Sequence, residues 1–215
     1  MLDRFFEKSS YNMKKITIYL LLTLSILGCT TPQPKNINNI CEIFKEKSDW
    51  WDDANDMKDK WGTPIHVVMS MMYQESSFRA DAQPPMRWFL GFIPYGRASS
   101  AYGYSQAKTV TWEEYVKESG NYWGDRDDFE DAIDFMGWFT AKTYRLNKVS
   151  KWDAKNQYLN YHEGWGGYRN KSYNKKAWLV KVSKKVDARA RVYGQQLKGC
   201  EEYLNSGWLW RLLFY

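Results

Sequence analysis

The chain has 215 residues, a formal net charge of +6 and 18% aromatic residues, including 12 Trp and 16 Tyr. This length is enough for one compact domain with a buried core and is short for two. A basic chain attracts anionic partners, but its Lys and Arg residues are spread along the sequence without a dense run. We therefore do not expect binding to nucleic acid.

The N-terminal region is typical of a bacterial export signal. Two lysines precede an apolar stretch, residues 16–27, which is too short for a comfortable membrane span. The stretch ends in ILGC, which resembles a bacterial lipobox. This resemblance implies cleavage before Cys29 and lipidation of that cysteine. We predict a signal peptide over residues 1–28, with Met13 as a possible true start; an uncleaved signal anchor is the alternative.

The next segment, residues 29–40, is polar and contains prolines, so we predict a flexible tether that carries a lipid on Cys29. Several acyl chains would anchor the protein stably, whereas one chain binds only marginally. Thr30 follows the cysteine where Asp is the alternative in the sorting pattern of Gram-negative bacteria, and the resemblance to that pattern implies the outer membrane. We expect a lipid-anchored periplasmic protein of the cell envelope.

The two remaining cysteines, Cys41 and Cys200, lie near the ends of the predicted domain, residues 41–205. In an oxidising compartment they could form one disulfide that closes a long loop. Two unpaired thiols are the alternative, and export favours the disulfide. Residues 206–215 form an apolar tail, too short to span a membrane, that could pack on the domain or lie at the membrane interface.

The predicted domain consists of helices separated by Gly and Asn, with little of the alternation that is typical of strands. It is therefore predicted to be all-α. The predicted helices cover residues 40–60, 64–77, 111–119, 127–147, 150–163 and 174–197.

Several local signals set the predicted helix ends. Thr63 is predicted to cap the second helix, with Pro64 as its first residue. Thr111 and Glu114 form a predicted capping box for the third helix, and Gly164 is predicted to end the fifth. Between the second and third helices, residues 79–101 contain three prolines and two glycines and are therefore predicted to form a long loop.

One carboxylate falls on an apolar face of the second helix. Glu75 follows Met71 by four residues and Val68 by seven, so the three share one stripe. Desolvation raises the pKa of a carboxyl group, and an acid that is protonated near neutral pH can donate its proton to a leaving group. A solvated or purely structural Glu75 is the alternative.

Three segments carry a family resemblance. Residues 71–78, MMYQESSF, resemble the first motif of the goose-type lysozyme and lytic transglycosylase families, which implies Glu75 as catalytic acid and Ser76 as its support. Residues 102–107, YGYSQA, resemble their Gly-Leu-Met-Gln motif, and residues 160–164, NYHEG, resemble their Ala-Tyr-Asn-Ala-Gly motif. By this resemblance the predicted substrate-binding residues are Ser76, Tyr104, Gln106, Tyr161 and His162, and Tyr161 is also expected to reach toward the catalytic carboxyl group.

The resemblance covers residues 60–195 and implies a single lysozyme-like all-α domain. It implies a peptidoglycan lytic transglycosylase, a glycan-cleaving lyase that acts on peptidoglycan strands as a monomer and needs no cofactor or metal. A hydrolytic muramidase, with Asp81 or Glu163 positioning a water, is one alternative. A non-catalytic peptidoglycan-binding lipoprotein is the other.

Aromatic residues are concentrated in the predicted loop between the first two motifs. Trp88, Phe89, Phe92 and Tyr95 lie there together with Arg87 and Arg97. We hypothesise that residues 79–101 form a lip over the glycan cleft, with aromatic rings stacked on sugars. A surface loop packed on itself is the alternative.

Overall fold

The computed structural model of the protein describes residues 31–206. The predicted signal peptide, the predicted lipidation site Cys29 and the apolar tail after Ser206 lie outside the described residues. Within the described range, helices predominate and the only sheet is one two-stranded hairpin, so the predicted all-α class is confirmed.

The secondary structure elements follow one another without repeats. In chain order they are α1 (Ile40–Glu46), α2 (Ser48–Trp61), α3 (Ile65–Ser76), β1 (Met86–Phe89), β2 (Ile93–Arg97), α4 (Thr109–Ser119), α5 (Phe129–Asn147), α6 (Ala154–Arg169), a 3-10 helix (Ser172–Lys175) and α7 (Ala177–Asn205).

The core forms where α3 and α5 meet the helices around them. Helix α3 packs against α7 and α6, and α5 packs against α2 and α6. Val68, Met71 and Met72 of α3 are fully buried, as the apolar stripe predicted. Burial of each such side chain contributes about 1.5–3 kcal/mol to folding. This packing holds the last turn of α3, which carries Glu75, in a fixed position.

The predicted start of the second helix is wrong by one residue. Pro64 is extended and precedes the helix, which begins at Ile65 without a side-chain cap. The hydroxyl of Thr63 is instead buried and hydrogen-bonded to the Thr140 hydroxyl at 2.7 Å. The Thr63 hydroxyl, which was predicted to cap the helix, therefore forms a tertiary contact instead.

The capping box predicted for the third helix is also wrong. Helix α4 begins at Thr109, two residues before Thr111, and has no side-chain cap. The carboxylate of Glu114 accepts a hydrogen bond from Lys142 of α5 at 2.7 Å. An ion pair between helices has replaced the local hydrogen bond.

Three other predicted helices have different boundaries. The first is divided at Lys47 into α1 and α2. Gly164 is non-helical, with φ 73° and ψ 161°, but the chain resumes its helix beyond this break up to Arg169. The last helix runs from Ala177 to Asn205.

The predicted loop over residues 79–101 contains a β-hairpin. Strands β1 and β2 are antiparallel, with Met86 opposite Arg97 and Phe89 opposite Ile93. The prolines that suggested a loop are compatible with an isolated hairpin, because every strand residue lies at an edge. Pro94 pairs with Trp88, beside an irregularity in the register.

The segment before α1 is folded onto the domain. The Gln33 amide donates a hydrogen bond to the Ser77 carbonyl at 2.6 Å, and Gln196 of α7 donates to the Asn38 carbonyl at 3.2 Å. The Tyr193 hydroxyl donates to the Ile37 carbonyl. The flexible tether predicted over residues 29–40 therefore does not extend beyond Gln33.

A disulfide between Cys41 and Cys200 joins α1 to α7 across a sequence separation of 159 residues. It closes a loop that contains most of the described domain. Between Thr31 and Ser206, no helix combines the length and the apolar character needed to cross a membrane.

Candidate active site

Glu75 lies on the last turn of α3, where the helix ends and the chain turns toward the hairpin. The helix stops at Ser77, which adopts a left-handed conformation with φ 54°. The apolar stripe of α3 leads directly to Glu75, which is half-buried. This burial raises the pKa of Glu75 to about 7, which leaves a substantial fraction protonated at neutral pH.

The Glu75 carboxyl group has one hydrogen-bonding partner on α6, the hydroxyl of Tyr158. This hydrogen bond lowers the pKa of Glu75, but the opposing effect of burial is larger. Burial and the nearby Glu75 charge raise the pKa of Tyr158, so its hydroxyl keeps its proton and acts as a donor.

Tyr158 was missed by sequence reasoning, although a signal for it existed. It precedes Tyr161 by three residues on α6, and side chains at this spacing share a helix face. Once Tyr161 is expected near the catalytic carboxyl group, the same helical spacing places Tyr158 beside it.

Tyr161 lies close to Glu75 but donates its hydrogen bond elsewhere. Its hydroxyl donates to the Ser105 carbonyl at 2.5 Å, and its ring packs against Phe139 at 4.8 Å between centroids. Burial, followed by the proximity of Glu75, raises the pKa of the Tyr161 hydroxyl. Tyr161 thus connects α6 to the second motif and closes one side of the site.

A cleft of about 350 Å³ opens in front of Glu75. Three of the predicted substrate-binding residues, Gln106, Tyr161 and His162, line it. The other lining side chains include Lys108, Thr111, Phe135, Phe139 and Trp165. The cleft therefore combines aromatic surface with hydrogen-bonding groups, a composition that suits a sugar ligand.

The second motif forms a tight turn beside this cleft. A Cβ atom on Gly103, which has a φ of +74°, would lie 1.8 Å from the Arg126 carbonyl oxygen. Glycine is therefore required there both by the backbone conformation and by the close approach. The Gln106 amide donates to the carbonyls of Gly103 at 2.9 Å and Ala82 at 2.6 Å, which fixes its side chain at the cleft.

Two predicted substrate-binding residues do not face the cleft. Tyr104 is 1% exposed and packs edge-on against Trp50 and Phe129, so it belongs to the core. The buried Ser76 hydroxyl donates to the Met72 carbonyl at 3.3 Å and accepts from the Phe78 amide at 3.1 Å. Ser76 therefore supports the end of α3 beside Glu75, and its hydroxyl is occupied by the backbone.

Neither candidate for a second carboxylate is available. Both oxygens of Glu163 have donors: Lys176 at 2.7 Å and His162 at 2.9 Å on one oxygen, and Ser172 on the other. Burial alone would raise the pKa of Glu163, but these hydrogen bonds lower it to about 2. Asp81 is exposed, forms an ion pair with Arg79 at 3.3 Å and does not line the cleft.

The predicted lip is not formed around Glu75. Within residues 79–101, only Ala101 lines the cleft. The alternative of a self-packed loop is also wrong, because the aromatic side chains of the hairpin are exposed.

A glutamate with a raised pKa at the end of a buried helix, facing a cleft lined by aromatic and hydrogen-bonding side chains in a helical domain, fits the lysozyme-like class of glycan-cleaving proteins. The chain belongs to the transglycosylase SLT domain family, whose model matches residues 17–200. This membership confirms the predicted lysozyme-like fold and supports peptidoglycan lytic transglycosylase activity in general. No curated protein matches the sequence.

Proposed function

We propose that the protein cleaves the β-1,4 bond between N-acetylmuramic acid and N-acetylglucosamine and leaves a 1,6-anhydromuramoyl end. The observation that carries this proposal is the state of the carboxyl groups at the cleft. Glu75 has a pKa of about 7 and faces the cleft, whereas Glu163 is ionised and fully hydrogen-bonded.

The proposed reaction uses Glu75 twice. Its carboxyl group first donates a proton to the glycosidic oxygen, the bond from that oxygen to C1 of the muramoyl residue breaks, and the N-acetylglucosamine part leaves as an alcohol. The resulting carboxylate then accepts the proton of the muramoyl 6-hydroxyl while that oxygen bonds to C1. The proton is returned to Glu75, and no water or metal takes part.

Tyr158 is well placed to support both steps. Its hydroxyl donates to the Glu75 carboxyl group, and a hydrogen bond of this kind stabilises the ionised form that exists between the two proton transfers. It also fixes the orientation of the carboxyl group relative to the cleft. The pKa of Glu75 is thus a balance between burial, which favours the acid, and Tyr158, which favours the carboxylate.

Hydrolysis is the less favoured alternative. A glycosidase usually needs two carboxylates, one on each side of the bond. Asp81 lies outside the cleft and the oxygens of Glu163 are occupied, so no second carboxyl group among residues 31–206 is in place to activate a water.

We also propose that the protein acts as a monomer in the periplasm, held by a lipid on Cys29 to the outer membrane. The lipobox-like sequence before Cys29 and the threonine after it support this location. The disulfide between Cys41 and Cys200 is consistent with it, because disulfides persist in oxidising compartments such as the bacterial periplasm.

The test of the proposed function is a digest of purified sacculi with the chain from Thr30 onward, followed by mass spectrometry of the products. We expect muropeptides with anhydromuramoyl ends. Products with reducing ends would make the protein a hydrolase. No release by a folded protein, shown by a cooperative thermal unfolding transition, would favour the peptidoglycan-binding alternative.

The pH dependence of this activity gives a test of the Glu75 environment. Because Glu75 acts first as an acid, kcat/KM should fall as the pH rises through about 7. Replacing Tyr158 with Phe removes a hydrogen bond that lowers the pKa of Glu75, so the decline should move to higher pH. Rates of anhydromuropeptide release, measured from about pH 5 to about pH 9 so that they span this pKa, show where the decline falls.

Tyr161→Phe is the matched control for this change. It also removes one hydroxyl from the site, but that hydroxyl donates to the Ser105 carbonyl. We therefore expect its pH profile to decline where the wild-type profile does. The same displacement in both variants would show that Tyr158 has no specific effect on Glu75.

A further inference from the structure

The β-hairpin presents an apolar surface to solvent on both of its faces. Every residue of β1 and β2 is exposed. The exposed fraction of the residue is 56% for Trp88, 58% for Phe89, 70% for Leu90 and 69% for Phe92. Isolated exposed apolar residues are common, but a continuous group of this kind marks an interaction site.

The end of the hairpin carries no polar group on its side chains other than the indole N–H of Trp88. From Trp88 to Ile93 the sequence reads WFLGFI, and the nearest charged residues, Arg87 and Arg97, lie on the body side of it. No acidic residue lies between Gln83 and Ser100. From its end toward the domain, the hairpin therefore presents apolar side chains, then Trp and Tyr side chains, and then two Arg side chains.

This order matches the chemistry of an anionic lipid surface. Leu, Ile and Phe enter the acyl region, whereas Trp and Tyr prefer the headgroup level. Each Arg near an anionic surface contributes a favourable electrostatic attraction. Tyr95, which is 76% exposed, stands on β2 between the apolar end and Arg97 and completes the interfacial set.

A glycan partner fits this surface less well. Sugars are recognised by aromatic faces together with hydrogen-bonding groups, and the cleft at Glu75 has both. The hairpin end offers exposed aliphatic side chains, Leu90 and Ile93, among its aromatic ones and no hydrogen-bonding side chain except the Trp88 indole. The hairpin strands also contribute no side chain to the cleft lining.

The N-terminal segment contacts the domain at the end of α3, and from there the chain leads to the hairpin. Gln33 is hydrogen-bonded to the carbonyl of Ser77, at the end of α3, and the chain passes from Ser77 to β1. A lipid on Cys29, four residues before Gln33, would therefore bring this end of α3 to the membrane. This proximity to the membrane depends on the proposed lipid anchor, whereas the exposure and composition of the hairpin do not depend on it.

From these observations we propose that the hairpin over Met86–Arg97 is a membrane-binding element that inserts its apolar end into an anionic lipid surface. It forms a second attachment beside the proposed anchor. Two attachments fix the orientation of the domain relative to the membrane, whereas one flexible attachment leaves it free to rotate.

Vesicle co-sedimentation of the chain from Thr30 onward tests this proposal, because that protein contains every described residue and lacks the lipid. The vesicles consist of equal parts of phosphatidylethanolamine and phosphatidylglycerol. We expect wild-type protein to bind them and a variant with Trp88→Ser, Phe89→Ser and Phe92→Ser to bind at least about tenfold more weakly, since three side chains lose their burial in lipid.

The matched control replaces exposed aromatic residues outside the hairpin, with Tyr122→Ser and Trp123→Ser, which are 71% and 96% exposed in the wild type. It should bind the vesicles as the wild type does. The apolar C-terminal tail is present in all these proteins, so differences between them report on the hairpin. Leu90→Asp is a second hairpin variant, for use if the triple variant fails to give the wild-type unfolding temperature.

The outcomes separate the hairpin from the catalytic proposal. Absence of vesicle binding by the wild type, or equal binding by the hairpin and control variants, overturns the membrane proposal whatever the activity on sacculi. If the hairpin variants lose binding to sacculi and keep binding to vesicles, the hairpin is a glycan lip and the proposal is wrong. Selective loss of vesicle binding supports it.

Discussion

Replacing Glu75 with Gln is expected to lower the rate of anhydromuropeptide release by about 10²–10⁴-fold, the usual contribution of a general acid–base group. Glutamine keeps the shape of the side chain and can still accept the Tyr158 hydrogen bond, but it has no transferable proton. Glu163, the other carboxyl group that lines the cleft, is ionised and already hydrogen-bonded, so it cannot replace Glu75 in the two proposed proton transfers. Release of soluble muropeptides from labelled sacculi measures the loss.

Asp81→Asn is the matched control, since it removes a carboxylate from the segment that follows Glu75. Asp81 is exposed and lies outside the cleft lining, so the activity of this variant should stay within about twofold of the wild type, as is usual for surface changes. Equal losses in Asp81→Asn and Glu75→Gln would point instead to a hydrolase with two carboxylates. An active Glu75→Gln protein would remove Glu75 from the mechanism.

Loss of the disulfide should have the largest effect on stability. Replacing Cys41 and Cys200 together with Ser is expected to lower the free energy of unfolding by about 4–5 kcal/mol, because the disulfide closes a loop of more than about 100 residues in the unfolded chain. Both cysteines are buried, so the new hydroxyls add a smaller cost of their own. Urea unfolding followed by circular dichroism measures the difference.

Reduced wild-type protein provides the comparison for the double variant. With a thiol reductant its midpoint should fall close to that of the double variant, and the variant itself should not respond to the reductant. If wild-type protein unfolds at the same urea concentration with and without reductant, the disulfide does not constrain the unfolded chain as described.

Helical periodicity placed Glu75 on the buried side of its helix, and the resemblance to the family motif marked it as the candidate acid. Val68 and Met71 fix the orientation of α3, and Glu75 is on the same stripe at the point where the helix ends. Gln106 and His162 were placed at the cleft by resemblance to motifs, and the structure brings them there. Helical periodicity and short motifs are local patterns, so a single sequence is enough to detect them.

Contacts between distant parts of the chain could not be predicted in this way. Tyr104 lies within a motif, yet its ring packs edge-on against both Trp50 and Phe129, residues that are far from it in sequence. The partner of Thr63 is Thr140, on another helix. Such choices depend on which helices pack together, and periodicity within one segment does not determine that.

The hairpin was missed for a different reason. A strand that is half buried alternates apolar and polar residues, and this alternation is the signal by which strands are predicted. Strands β1 and β2 are exposed on both faces, so they carry no alternation to detect. Their prolines and glycines suggested a loop.

The N-terminal segment is hydrogen-bonded to the domain from Gln33 onward, so the proposed lipid on Cys29 would limit which glycan strands the protein can reach. If Cys29 carries the proposed lipid, the four residues to Gln33 reach at most about 14 Å when fully extended. A domain of this size is roughly 40 Å across, so its diameter exceeds the length of this tether. The protein would then cut only the layer of wall that faces its membrane, because deeper strands would lie beyond its reach.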